Sequence, residues 1–288
     1  MSHPRDSIAP QAQAAAPTSG WPAYAKASVA CHLGAGVVAL AAPSLWPWAL
    51  GAVAANHVAL TAGGLWPRSR WLGSNWTHLP AAAAARREIA LTIDDGPEPE
   101  ATPAVLDVLD AHAVRATFFC IAERARAHPA LCREIVARGH SVQNHSDRHS
   151  HAFSLLGPKA TAREIGAAQA SLADITGVLP RFFRAPAGLR NPFLAPVLER
   201  LGLQLVSWTR RGFDTVRSDP AALLARLGDG LRAGDILLVH DGNAARSDDG
   251  RAVAIAVLPR LLERVAQAGL SPVTLPAAAA ISQPATPP

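Results

Sequence analysis

Two aspartates, Asp94 and Asp95, close the apolar run EIALTI and are followed at once by Gly96-Pro97. Further on, His145 and His149 stand four apart in NHSDRHSH. Arg184 follows a pair of phenylalanines, Asp214 ends WTRRGFD, and His240 ends ILLVH. Two imidazoles at that spacing share a face if the segment makes one helical turn, and both can then reach one metal ion. A carboxylate from a neighbouring strand end completes a two-His, one-carboxylate set. Such a set leaves positions open for water and substrate, which is the mark of a catalytic metal site. A further carboxylate and a further imidazole nearby are the groups needed for the two proton transfers of amide hydrolysis. No Ser or Cys nucleophile paired with His is evident, so attack by water is the simpler chemistry. Each residue also has a plainer reading: a polar loop, an Asp-Gly turn, a structural ion pair at Arg184, a cap at Asp214, a core histidine at 240.

What joins these residues is the kind of element each one ends. Strand-like runs occur at 88–93, 115–120, 140–144, 180–184, 203–208, 235–239 and 271–275. Helix-like stretches alternate with them near 101–112, 122–138, 161–177, 192–202, 220–232 and 252–268. Gly139, Gly202, Gly234 and Gly269 fall where helices should end. This alternation predicts an α/β fold with about seven parallel strands, open or closed into a barrel. In such folds the ligand site gathers at the carboxyl ends of the strands. DDGP, NHSDRHSH, RAPAG, WTRRGFD and His240-Asp241-Gly242 all come after strands, so nearly every group with catalytic chemistry is expected at one rim.

The chain has 288 residues, a net charge of +5 and a pI near 9.8. The arginines are scattered and no basic run of five appears, which argues against nucleic-acid binding. The basic balance suits an anionic membrane surface or substrate. The three cysteines, Cys31, Cys120 and Cys132, form no CxxC pair and no metal spacing with histidine. They read as free thiols, with a Cys120–Cys132 bridge left open.

Residues 1–20 read as a disordered leader and 276–288 as a disordered tail. Residues 21–70 read as a membrane hairpin. From Ala27 to Pro67 there is no Asp, Glu, Lys or Arg, and Pro43 and Pro47 divide that span into helices at 23–42 and 49–66. Trp21 and Tyr24, then Trp46 and Trp48, then Trp66, Trp71 and Trp76 mark its ends, as in interfacial belts. The alternative is an Ala-rich hairpin buried in a soluble protein. Lys26 precedes the hairpin and Arg68, Arg70, Arg86 and Arg87 follow it, so the charge rule puts both ends on the cytoplasmic side of the inner membrane.

TIDDGP, NHSDRHSH, RAPAG, SWTRRGFD and ILLVH resemble, in order and spacing, the motifs of the polysaccharide deacetylases, the NodB-homology domain of carbohydrate esterase family four. The resemblance covers 86–275. It implies a distorted (β/α) barrel that removes N- or O-acetyl groups from sugars with a divalent metal, usually zinc. By resemblance Asp95, His145 and His149 are metal ligands and Asp94 is the general base toward water. Arg184 pairs with that base, His240 is the general acid, and Asp214 is the acidic partner of His240. Pro186, Ala187, Trp208, Arg210 and Arg211 fall at substrate-binding positions. The chain departs from the family at Ala187, where many relatives carry an aromatic, and at Thr215, where a Trp is usual. Arg210 and Arg211 add charge that an anionic substrate could meet, or form a solvated loop pair. The expected function is deacetylation of a sugar in an envelope polysaccharide or a lipid-linked glycan, at the membrane. The charge flanks favour the cytoplasmic side and the resemblance favours the outer face. The rival readings are a metal-dependent amidohydrolase on a non-sugar amide and a non-catalytic carbohydrate-binding scaffold.

Overall fold

The computed structural model describes residues 22–247 and 250–280. The leader expected at 1–20, Trp21 and the end of the tail at 281–288 lie outside the described residues. The strands are β1 (Glu88–Asp94), β2 (Thr117–Cys120), β3 (Ser141–Asn144), β4 (Phe182–Phe183), β5 (Gln204–Leu205), β6 (Arg210–Arg211), β7 (Ile236–His240) and β8 (Ser271–Pro272). Every ladder is parallel. The spatial order is β5-β4-β3-β2-β1-β7-β6, with β8 beside the start of β1. Seven strands thus make a curled, incompletely closed barrel, as the alternation of the sequence implied. The two-residue β6 went unread, because Thr209-Arg-Arg-Gly212 carries no apolar run.

All seven residues of β1 are buried. Its alternate residues face two cores. Ile89, Leu91 and Ile93 join the larger cluster, with Leu106, Ile135 and Leu258 from the surrounding helices. Ala90 joins an inner cluster with Phe119, Phe182 and Ile236. Burial on both faces explains why the strand reads as a continuous apolar run.

The helices are α1 (Ala23–Ala41), α2 (Trp46–Leu65), α3 (Ala81–Ala85), α4 (Thr102–Ala111), α5 (Ala122–Ala127), α6 (Pro129–Ala137), α7 (Pro158–Thr176), α8 (Leu194–Arg200), α9 (Pro220–Gly228), α10 (Val253–Gln267) and α11 (Leu275–Ala280). The single helix expected at 122–138 is two. Pro129 has no N–H to donate and drives His128 out of helical geometry, to φ −130° and ψ 58°. A disordered tail is expected from 276, but Leu275–Ala280 form α11, which is held by burial. Leu275 and Ala278 are fully buried with Ala83, Ala90 and Ile236 and close the inner core.

The hairpin forms, with a short turn at Pro43–Leu45. Among the described residues only α1 is long and apolar enough to cross a membrane, by length and composition. Helix α2 misses that mark because Asn56 and His57 interrupt it. The hairpin is not a buried core element either. Leu33, Val37 and Leu40 are 68%, 64% and 85% exposed. Its foot is tied to the barrel by Arg190, whose Nη2 donates to the carbonyls of Gly63, Trp66 and Ser69 at 3.3, 3.0 and 2.9 Å.

Candidate active site

Register brings the chemistry together. In the parallel ladders Asp94 pairs with both Phe119 and His240, and Asn144 pairs with Phe183. The carboxyl ends of β1, β7, β3 and β4 are therefore level, and His145 and Arg184 are the residues next after β3 and β4. Asp94, Asp95, His145, His149 and His240 line one cavity of about 540 Å³, together with Ala187, Trp208 and Arg211.

Alternation along a strand would point Asp94 and Asp95 apart. They meet at one rim because Asp95 takes a left-handed backbone, φ 77°, outside the pleat. The turn beyond it packs without clearance. A β-carbon on Gly96 would collide with the Asp241 carboxylate. Asp241 accepts from Thr102 Oγ1 at 2.5 Å and from the Gly242 N–H at 2.9 Å, and burial pushes its carboxyl up to about 7.

His145 and His149 also share a face, but not through the helical turn that their spacing suggested. Ser146 and His149 both have positive φ, 69° and 51°, so the segment is a tight loop. The loop is fixed by the Ser146 N–H donating to Asn144 Oδ1 and the His149 N–H donating to Ser146 Oγ, each at 2.9 Å. The imidazoles end 4.8 Å apart between ring centroids.

These rings and Asp95 present acceptors to one another. His145 Nδ1 lies 2.9 Å from the Arg184 carbonyl, which can only accept, so Nδ1 carries the proton. In the neutral ring the Nε2 lone pair then faces Asp95 Oδ1 at 3.2 Å, and His149 Nε2 reaches the same oxygen at 3.2 Å. Burial and the neighbouring His145 hold His149 down to about 4, so its ring is neutral. Asp95 Oδ1 is buried with no hydrogen-bond donor, and the donor atoms of Asp95, His145 and His149 lie within 4.8 Å of one another. Converging lone pairs around an orphaned carboxylate oxygen fit a cation. Asn243 Nδ2 donates to the other oxygen, Oδ2, at 3.0 Å and orients the carboxylate.

Asp94 has different neighbours. Arg184 Nη1 donates to its Oδ1 at 2.6 Å and to Thr92 Oγ1 at 2.8 Å. Arg184 is itself 1% exposed; its Nη2 bonds the Ser207 carbonyl at 2.8 Å and it lies 4.2 Å over the Phe119 ring. Across the cavity, Asp214 is fully buried behind His240. It accepts from the His240 N–H at 2.7 Å and holds Nδ1 at 2.9 Å. Burial works against charging this ring, but the Asp214 carboxylate outweighs it, and the His240 pKa is raised. The cavity thus brings together three groups that fit a cation, a carboxylate paired with a buried arginine, and an imidazole whose pKa a buried carboxylate raises.

Two of the substrate-binding positions fall elsewhere. On β6 successive side chains leave opposite faces. Arg211 lines the cavity, stacked between Trp208 and Phe213 at 5.2 and 5.1 Å. Arg210 points away to Asp235 Oδ2 at 2.7 Å and the carbonyls of Asp229 and Gly230, bracing β6 against the barrel. Pro186 is buried beneath the rim, whereas Ala187, at φ 54°, forms the rim itself. Asn243, Thr92 and Arg124 were missed by motif spacing. Arg124 Nη1 donates to the Asp95 carbonyl at 2.9 Å and Nη2 to Asn243 Oδ1 at 2.9 Å. Asn243 was within reach of the same strand-end rule, since it comes just after Asp241-Gly242 at the end of β7. Cys120 and Cys132 are free and buried.

Comparison with known proteins gives the same picture. A family model described as polysaccharide deacetylase matches residues 81–206. A chitooligosaccharide deacetylase of Azorhizobium caulinodans is 34% identical over 65% of this chain and 92% of its own length. A peptidoglycan-N-acetylglucosamine deacetylase of Bacillus cereus is 31% identical over 60% of this chain and 81% of its own. Among solved structures, a family 4 carbohydrate esterase of Streptomyces lividans in complex with acetate superposes with a TM-score of 0.58. It is 31% identical, covering 64% of this chain and 91% of that one.

Proposed function

The chain belongs to the polysaccharide deacetylase family, and on that premise we propose that it hydrolyses the N-acetyl group of an N-acetylglucosamine-containing glycan at a membrane surface. The observation that carries this reading is the meeting of three unlike units in one cavity: Asp95 with His145 and His149, Asp94 with Arg184, and His240 with Asp214. Similar chains are named for action on chitooligosaccharide and on peptidoglycan N-acetylglucosamine, which supports that sugar as the substrate unit.

Asp95, His145 and His149 would hold a divalent cation, zinc by family resemblance. Such an ion supplies Lewis acidity toward the amide oxygen and toward water. Asp94 removes the proton of the attacking water as its oxygen bonds to the acetyl carbon. The Arg184 guanidinium bonds Asp94 Oδ1 and holds the carboxylate in place, away from competing partners. His240, with Nδ1 committed to Asp214, presents Nε2 as the group that protonates the leaving nitrogen. The C–N bond breaks, and acetate and a free amine leave. Trp208 and Ala187 form the wall against which the sugar rests, and Arg211 adds positive charge to it. Of the rival readings, a scaffold would be expected to lack one of these groups, and all are present.

The test is acetate release from chito-oligosaccharides by the purified, zinc-loaded protein. Asp94→Asn is isosteric and leaves Asp95, His145 and His149 in place. It should lower kcat by about 10²–10⁴-fold, the usual contribution of a general base, with zinc content by mass spectrometry unchanged. Full activity in that variant removes the proposed mechanism.

A further inference from the structure

The rim of the catalytic cavity packs directly on the foot of the hairpin. Gly188 lines the cavity, and a β-carbon there would lie 2.6 Å from the Trp208 ring and 2.8 Å from Pro67, which directly follows the hairpin. Two residues on, the Arg190 N–H donates to the Gly64 carbonyl at 3.1 Å, and a β-carbon on Gly64 would collide with the Arg190 carbonyl. Backbone lies on backbone at this contact.

The same loop then walls a second cavity. Pro192 and Phe193 face Val29, Leu33 and Leu60 across a groove of about 380 Å³ between the hairpin and the barrel. That volume is in the ligand range of about 300–1,000 Å³. Its few polar groups bond one another. His32 Nδ1 lies 2.7 Å from the Ser28 carbonyl, so it is the donor, and His32 Nε2 then accepts from His57 Nε2 at 3.2 Å. Asn56 Nδ2 donates to Ser28 Oγ at 2.8 Å. The wall therefore offers hydrocarbon contact and little that would reward a polar occupant. Pro192 is four residues from Gly188, which bounds the chain path between groove and cavity at about 14 Å.

We propose that this groove holds the hydrocarbon chain of the substrate itself, so that the sugar in the catalytic cavity is the headgroup of a glycolipid. This rests on the deacetylase reading and narrows it from a free polysaccharide to a lipid-linked sugar. The occupant follows from the placement of the groove. It lies against the hairpin, whose α1 is apolar and long enough to cross a bilayer by length and composition, and its opposite wall, Pro192 and Phe193, is the chain leading on from Gly188 of the catalytic cavity.

The test uses the full chain in phosphatidylcholine nanodiscs and three N-acetylated substrates: dodecyl and methyl N-acetylglucosaminide, and chitotetraose. The parent protein should prefer the dodecyl to the methyl glycoside by at least about tenfold in kcat/KM, the equivalent of burying about two methylenes. Partition into the bilayer could give the same preference, so two groove variants decide. Phe193→Asp puts a charge in the groove and Val29→Trp fills it; neither touches the catalytic groups. Each should bring the dodecyl preference close to one and leave the methyl rate within about twofold, which also shows that the variant is folded. A preference that survives both variants assigns the groove to bulk lipid and overturns the proposal. So does a parent that cleaves the dodecyl and methyl glycosides with equal kcat/KM. Absence of acetate release from all three substrates sinks the deacetylase reading, and the glycolipid with it.

Discussion

Asp94 and Asp95 are neighbours in sequence and opposites in surroundings, and that difference sets their expected behaviour. Asp95 meets two imidazole nitrogens, His145 Nε2 and His149 Nε2, each 3.2 Å from its Oδ1. Asp94 instead meets a guanidinium at 2.6 Å. The counterpart across the cavity is His240, and its pH dependence has a definite sign. Burial alone would lower its pKa, and the Asp214 carboxylate reverses that to a net rise. If protonated His240 is the acid, activity is lost as pH climbs through this raised value. In Asp214→Asn the opposing charge is gone while the burial remains. The alkaline limb of the kcat profile should move to lower pH, by about 1–3 units, the usual effect of one opposite charge at close range. A pH–rate profile of the variant reads this directly. An unmoved alkaline limb would take the acid role away from His240. A purely structural role for Asp214 predicts a lower rate with the same profile.

At the scale of elements, the legible part of the sequence was the ends of strands, and the illegible part was the backbone between them. Runs such as EIALTI and DILLV declare themselves by continuous burial, and the polar residues just beyond them mark the rim. The conformations that aim those residues do not show in residue type. Asp95, Ser146, His149 and Ala187 all take positive φ without being glycine, and no local preference announces it. Spacing therefore put His145 and His149 on a helical turn, whereas side-chain caps from Asn144 and Ser146 hold them in a loop. Arg210 and Arg211 could not be told apart, since β6 is two residues long and only its ladder with β7 fixes which of them faces in. Helix α11 was hidden because five of its six residues, Pro276 to Ala280, look like low-complexity tail, and the contact that holds them is with the far end of the barrel. The DDGP turn gives a test of how far backbone packing sets the site. Gly96→Ala drives a methyl into Asp241, which two hydrogen bonds hold in place. Overpacking of this kind costs about 1–3 kcal/mol, so the melting temperature should fall and zinc uptake should weaken with it. Gly166→Ala is the control. It lies within α7 with nothing inside 4 Å of the added carbon. It should stabilise by about 0.5–1 kcal/mol and leave zinc binding unchanged. Equal effects from the two substitutions would show that the turn tolerates a side chain.

At the scale of the whole molecule, a barrel carries a hairpin that is exposed, free of charge from Ala27 to Pro67, and tied to the barrel at its foot. Water is a poor solvent for such a surface. The side chains of Leu33, Val37, Leu40, Trp48 and Val58 are each more than 60% exposed, and the span from Ala27 to Pro67 has no charge to compensate. The attachment is polar and specific: Arg190 satisfies three carbonyls at the foot of α2, and Asn75 Nδ2 donates to the carbonyls of Pro67 and Ser69. A hairpin held so firmly would place the cavity at a fixed height above any surface it enters, with Arg68 and Arg70 just outside that surface to meet anionic headgroups. Burying the hairpin in a bilayer is thus a proposal with a plain test. Gly34→Lys with Val37→Lys places two charges at exposed positions of α1, about one turn apart and outside the groove. Each charge at the centre of a span costs about 2.5–3.5 kcal/mol, enough to shift the protein from bilayer-bound to free. In flotation with anionic vesicles, the parent should rise with the lipid and the double variant should stay at the bottom. Neither position touches the barrel core, so acetate release from soluble chito-oligosaccharides should match the parent. A double variant that still floats would move the anchor away from α1. One that neither floats nor cleaves soluble substrate would mean that the hairpin supports the catalytic rim through the Gly188 and Arg190 contacts.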